Sequence, residues 1–399
     1  MNRDEREELN PKLARLQRKV LVAGIIALGL STVGAFLDAK PFFFSYLIGY
    51  MFILGLSLGS LAFLMIHHLT NGRWGFSIQS LLESAAGTLL PVGLLFLPVL
   101  LGLHELYEWT HHEAVAQDPV LLSKSGYLNI PFFLIRMLLY FLIWVTMAFL
   151  LGRWSREQDR TGDPTFIRRM QTLSAPGLLI FGVTVTFAAT DLVMSLEPHW
   201  FSTIFGMLFM VGFGLSGIAA AIIAGSFLLQ WDPLSKFLTP ARFHELGNLL
   251  LALVMLYAYL SFSQWLIIWA ADLPEEVSWY VTRTDGGWQW IAALLALFHF
   301  ALPFALLLNR FAKRRMRALR LIAVLLLFMR LVDWYWMIGP VLHGPELSLH
   351  WLTIVTPVGL IAIWMALYLW QLKSRPLMPI NDPRVEPVFT PHHEAVEHG

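Results

Sequence analysis

Ionisable side chains set within long apolar runs are the residues of this 399-residue chain best placed to do chemistry. A charge at membrane depth is costly, so each such group needs a partner or a task. Arg330 and Asp333 are three apart, hence on one helical face and able to pair. Asp191 lies about 17 residues into another run, about 26 Å along it by helical rise, and Arg136 opens a third. His104, Glu105, Tyr107 and Glu108 close a fourth, with His104 and Glu108 spaced for a shared helical face. These residues form an outer group. An inner group comprises His67 and His68, Glu83, and the pair His244 and Glu245, where an acid at a helix start is favoured by the helix dipole. Between the two layers stand His299 and Gln264. Carboxyls and imidazoles at inner, middle and outer depth are what a proton path needs. Pairing accounts for Arg330, and packing accounts equally well for a lone His299. Neither explains why Asp191, Arg136 and Glu108 gather at one level.

The elements that must position these groups are apolar runs of about 20 residues, long enough to cross a bilayer as helices. Ten occur, over 20–37, 43–66, 84–104, 131–151, 174–194, 203–230, 245–271, 288–309, 318–338 and 352–372. Of the 28 Lys and Arg residues, only Lys40, Lys124 and Arg283 fall on one side of the membrane, and Arg136 and Arg330 lie inside runs; Arg320, at the edge of the ninth, is counted with the loop before it. The others share the opposite side, which the positive-inside rule assigns to the cytoplasm together with both termini. The expectation is an all-α polytopic membrane protein with a cytoplasmic N-terminal segment (1–19), a ten-helix transmembrane domain (20–372) and a Pro-rich cytoplasmic tail (373–399). Four acids in the first eight residues and the absence of a small-residue cleavage site argue against a removed signal peptide. Acids such as Glu197, Asp272, Glu275 and Glu276 dominate the outer loops. They read either as the by-product of excluding Lys and Arg or as a docking face for extracytoplasmic partners.

Composition agrees with this picture and excludes other classes. Hydrophobic residues make up 57% and charged residues only 14%, with a mean hydropathy of +0.62. A net charge of +1 gives no basic field for nucleic acid. With no cysteine there is no disulfide, no thiolate-bound iron–sulfur cluster and no attached haem c. A bis-His haem needs two facing intramembrane imidazoles, and only His299 lies well inside a run. Rows of small residues, Gly55 and Gly59 in the second run and Gly212, Ser216, Gly217 and Ala220 in the sixth, predict close helix packing. Pro91 and Pro98 predict a kink in the third. His392, His393 and His398 in the tail read as solvated residues rather than a metal site.

One stretch has a further likeness. Ala258-Tyr259-Leu260-Ser261-Phe262-Ser263-Gln264-Trp265-Leu266-Ile267-Ile268-Trp269, followed by Leu273-Pro274-Glu275-Glu276 and Trp279-Tyr280, resembles the NrfD-like family of membrane subunits. Within it, the chain is most similar to the smaller NrfD-like subunit of alternative complex III, a quinol:cytochrome c oxidoreductase. His67-His68-Leu69-Thr70-Asn71-Gly72-Arg73-Trp74-Gly75, Phe298-His299-Phe300-Ala301-Leu302-Pro303-Phe304, Met329-Arg330-Leu331-Val332-Asp333 and the tail around Pro376 to Pro379 and Asp382 to Arg384 carry the likeness across almost the whole chain.

The resemblance implies two four-helix bundles, spans 2–5 and 6–9, flanked by spans 1 and 10, in a bacterial cytoplasmic membrane. It implies a sister NrfD-like subunit and extracytoplasmic iron–sulfur and haem c subunits that carry the electrons, with a terminal oxidase as one candidate acceptor. No redox centre is expected in this chain. A quinone site, for which Asp191, His104, Tyr107 and Asp333 are candidates, or a proton path is the role left to it. Two other readings stand beside this one: a proton-coupled secondary transporter and a purely structural scaffold.

Overall fold

The structure, a computed structural model, describes residues 3–230, 238–377, Asp382 and Arg384. Lys236 and the tail residues Pro379, Pro383, Pro387, Pro391, His392, His393 and His398 lie outside the described residues. All described regular structure is helical, and ten helices are long and apolar enough to cross a membrane. They are span 1 (Leu9–Leu37), span 2 (Ala39–Thr70), span 3 (Arg73–Leu101), span 4 (Ile130–Thr161), span 5 (Thr165–Leu196), span 6 (Phe205–Leu228), span 7 (Pro240–Ala271), span 8 (Trp288–Leu308), span 9 (Met316–His343) and span 10 (Leu352–Lys373). Several outrun the apolar stretches that announced them, because hydropathy marks the thickness of the lipid and not the length of the helix. Span 1 continues a helix that begins at Arg3. Span 2 closes at Asn71 in the left-handed region (φ 50°), whose N–H returns to the His67 carbonyl, and span 4 closes at Gly162 in the same way.

The packing closes two rings. Span 2 meets span 3, span 3 meets span 4, span 4 meets span 5, and span 5 returns to span 2. Spans 6, 7, 8 and 9 repeat this arrangement. Span 10 lies against spans 2 and 3, and span 1 lies against span 10. Span 2 is buried throughout its apolar middle, with only its ends exposed, and a helix apolar on every side belongs at such a centre.

Spans 2 and 6 join the rings, and glycine permits it. A Cβ on Gly59 would fall on the carbonyl of Phe213, and one on Gly217 would come within 2.6 Å of the backbone at Gly59 and Ser60. Without side chains at these points the two backbones touch, so dispersion and not hydrophobicity holds them inside the membrane. The small-residue rows thus mark the seam between the bundles.

Two spans are broken. Span 3 changes course around Gly87–Thr88, Leu95–Phe96 and Gly102, bracketing Pro91 and Pro98. Span 8 contains a π-helical segment, Ala296–Ala301, next to Pro303. Pro303 has no N–H for the carbonyl four residues earlier, that of His299, so the helix widens there. The kink in span 3 agrees with the sequence reading; the widening in span 8 is new.

A branched side chain at the seam should separate the rings. Gly217→Val should destabilise the protein by about 1–3 kcal/mol, read as a lower thermal midpoint in detergent. Gly29→Ala, where an added methyl meets nothing within 4 Å, should not lower it.

Candidate functional site

The second bundle encloses a cavity of about 640 Å³ between spans 6, 7, 8 and 9. Its walls are mostly aromatic and aliphatic, and its polar groups collect in two places. At one end, Tyr257 of span 7 and Arg330 of span 9 both donate to the Oδ2 atom of Asp333, which lines the cavity. The Arg330 guanidinium also lies over the rings of Tyr257 and Trp334 and fits where Gly212 of span 6 leaves room. His299 stands edge-on to Tyr257 at 5.0 Å between ring centres, and its Nε2 has no hydrogen-bond partner among the described residues. The π-helical segment carries this imidazole and turns it into the bundle.

At the other end, Gln264 accepts from Ser202 (2.9 Å) and donates to the Tyr280 hydroxyl (3.0 Å). Trp279 and Tyr280 belong to a helix outside the spans, Pro274–Thr284, that caps this end of the bundle. Trp279 stacks on Trp200 and meets Trp336 edge-on. Arg283 lies over the Trp279 ring and binds Glu197 (2.5 Å) and the Met337 carbonyl (2.7 Å), fixing the cap to spans 5 and 9. Burial lowers the Arg283 pKa against the opposite pull of Glu197, and burial pushes the Tyr280 hydroxyl up to about 12. Both keep their protons at neutral pH, so the cap holds one charge state.

The cavity also opens sideways. The inner half of span 8, Leu302–Leu308, packs on span 7, whereas its outer half, Trp288–Leu295, packs on span 9 and the capping helix. Spans 7 and 8 therefore diverge. Tyr259 and Phe262 on the cavity wall are 65% and 57% exposed on the surface that lipid would cover.

The remaining outer residues do not join this site. Arg136 makes a two-pronged contact with Asp191 (3.0 and 2.8 Å), Tyr140 donates to the same carboxylate, and Arg136 also reaches the Tyr127 carbonyl. Asp191 is fully buried. With its carboxylate met by three donors, this pair locks span 4 to span 5. Tyr107 is tied to the Leu192 carbonyl (2.9 Å). The shared face expected for His104 and Glu108 is not formed, because the helix stops at Leu106 and Tyr107 is extended; both side chains are exposed. Outer acids are partly committed within the chain, Glu197 to Arg283 and Asp118 to His199.

The inner group divides as well. Glu83 accepts from Gln79 (2.9 Å), Ser155 (2.5 Å) and Arg375 (3.1 Å). His67 and His68 are wholly buried, and none of their four ring nitrogens has a partner among the described residues. His67 packs against Phe76 and Trp74, where Gly75 leaves space for its ring. His244 and Glu245 bond locally, to Asn248 and Arg242.

Sequence reading missed Tyr257, Tyr280, Arg283 and Arg375. For Tyr257 a signal existed: Tyr257, Ser261 and Gln264 recur at i, i+4 and i+7, a polar stripe on an otherwise apolar helix. A scan of the chain against protein-family models finds no match, and a search of curated proteins finds none either.

Two outcomes follow from these pairings. Arg136→Ala leaves Asp191 buried and unmatched and should cost about 3–5 kcal/mol, whereas replacing both by apolar residues (Arg136→Met with Asp191→Leu) should recover most of that. Thermal melts of the two variants compare them directly. In the outer loop, burial pulls Asp118 upward, but the Val120 N–H, His199 and the Leu121 N–H outweigh it and hold its carboxyl below the usual range. Its anchoring is then complete at neutral pH and is lost as pH falls below about 4. The protection of the Val120 and Leu121 amides, measured as exchange relative to the intrinsic rate at each pH, should fall below that pH and hold above it.

Proposed function

We propose that this chain is a membrane subunit, without a redox centre of its own, of a quinol:acceptor oxidoreductase of the alternative complex III type, and that its second bundle receives a quinol from the bilayer. The observation that carries the reading is the polar cluster at one end of the cavity. A carboxylate held by Tyr257 and Arg330 stands there with an imidazole, His299, whose Nε2 has no partner among the described residues, while the rest of the space is mostly apolar and opens toward lipid. Largely apolar cavities with a few convergent polar groups are the usual form of small-molecule sites.

A quinol gives up two protons and two electrons when it is oxidised. The chain's residues suit the proton side. Asp333 and His299 supply acceptors inside the bundle, Arg330 keeps the carboxylate matched in charge, and the Trp200, Trp279 and Trp336 cap keeps water from the opposite end. Electrons would pass to iron–sulfur and haem c groups of partner subunits beside a sister NrfD-like subunit, and from there to an acceptor such as a terminal oxidase, in a bacterial cytoplasmic membrane. A transporter built from inverted repeats calls for broken helices at corresponding positions. Here the breaks fall in the second helix of one bundle and the third of the other, which favours the subunit reading.

Binding of a short-chain quinone should quench the tryptophans around the cavity. Removing one uncharged hydrogen-bonding group, as in His299→Leu, should weaken binding about tenfold, and the exposed-site control Glu108→Gln should not. Equal affinity in all three proteins would refute the site. Purification in mild detergent from native membranes should bring iron–sulfur and haem c proteins with the chain; isolation of the chain alone would refute the assembly.

A further inference from the structure

A second cavity, of about 180 Å³, lies on the basic side of the first bundle between spans 3, 4 and 10. It owes its space to the break in span 3. Arg375, just past span 10, turns inward to Glu83 and occupies room left by two glycines: a Cβ on Gly87 or Gly152 would come within 3.0 or 3.1 Å of its guanidinium. Gln371 of span 10 takes the Gly87 carbonyl (2.9 Å), which fixes the break against that span. Arg375 is about nine-tenths buried, and its Nε has no partner among the described residues.

Arg156 of span 4 lines the same cavity, is exposed, and has no hydrogen bond or ion pair among the described residues. Glu83 neutralises one arginine and not two. Among the described residues, the cavity's positive charge is therefore not fully compensated. The rest of its wall is apolar and faces outward: Leu90 and Phe149 are more than half exposed, and Leu94 continues the stripe along span 3. Cations at one end of an apolar groove, at the level where a helix leaves the membrane, match a phospholipid with an anionic head and acyl chains. Basic pockets between spans on the cytoplasmic side have this chemistry.

We propose that the groove between spans 3 and 4 binds an anionic phospholipid of the basic-side leaflet, with its phosphate at Arg156 and Arg375 and an acyl chain along Leu90, Leu94 and Phe149. The site is independent of the quinol cavity. Occupied, it supplies the charge that Arg156 lacks and fills the notch where span 3 bends, so the lipid acts as a structural part of the first bundle.

The test compares the protein and its Arg156→Gln variant, each purified and exchanged into nanodiscs of phosphatidylcholine with or without phosphatidylglycerol. Lipid retained after detergent washing is measured by mass spectrometry. Wild type should retain phosphatidylglycerol in preference to phosphatidylcholine, and the variant should lose about fivefold of that preference, the effect of one arginine at a membrane surface. Phosphatidylglycerol should also raise the thermal midpoint of wild type, a reading that does not depend on the variant folding. Equal retention of the two lipids, or no rise in midpoint, would overturn the proposal. Displacement of the lipid by millimolar inorganic phosphate would overturn it too, showing a site for free phosphate instead.

Discussion

A charge inside a bilayer has no water to fall back on, so the protein must match it from within. That constraint organises this structure more than any other. Arg136 is spent on Asp191, Glu83 takes Arg375, and Arg283 takes Glu197. Each match ties two elements together: span 4 to span 5, span 3 to the segment after span 10, and the capping helix to the end of span 5. Arg330 and Asp333 differ because their ion pair lies along a single helix, span 9. Their bonds to the surroundings run through Tyr257 and into the cavity. Here the ion pair itself joins no two helices, and only the Tyr257 hydroxyl links it to a neighbouring span, beside an imidazole whose Nε2 has no partner among the described residues.

The same bundle shows how a cavity of this size persists in a tightly packed protein. Spans 2 and 6 meet backbone to backbone through Gly59 and Gly217, and this contact places span 6 firmly at the centre. Span 8 is held at its two ends by different neighbours, and the π-helical turn between them absorbs the mismatch. The cavity is what remains between a fixed span 6 and a diverging span 8. Pro303 sits where that divergence begins, next to His299, so one local irregularity both opens the space and orients its imidazole.

Much of this was legible in the sequence, and the reasons differ by feature. All ten spans could be read because a helix in lipid must be apolar over a fixed length. The seam could be read because only small residues let backbones touch. Arg330–Asp333 could be read because pairing three residues apart is local. Arg136–Asp191 was seen as two residues at one depth but not as a pair, since depth along a helix says nothing of which way it faces. Glu83 was grouped with His67 and His68 for the same reason, whereas its partners are Gln79, Ser155 and Arg375. His104 and Glu108 failed because the helix was assumed to continue past Leu106. Contacts between distant segments and local breaks in helices are set by tertiary packing, and a periodicity argument contains neither.

The central claim is that a quinol reaches Asp333 and His299 from the bilayer through the gap between spans 7 and 8. Photolabelling membranes that contain the assembled protein with an azidoquinone, followed by peptide mapping, tests it most directly. Label should fall on the cavity-facing stretches of spans 7 and 8, around 255–265 and 292–300, and should disappear when excess unlabelled quinone competes. Label confined to other parts of the chain, or found only on partner subunits, would contradict the account.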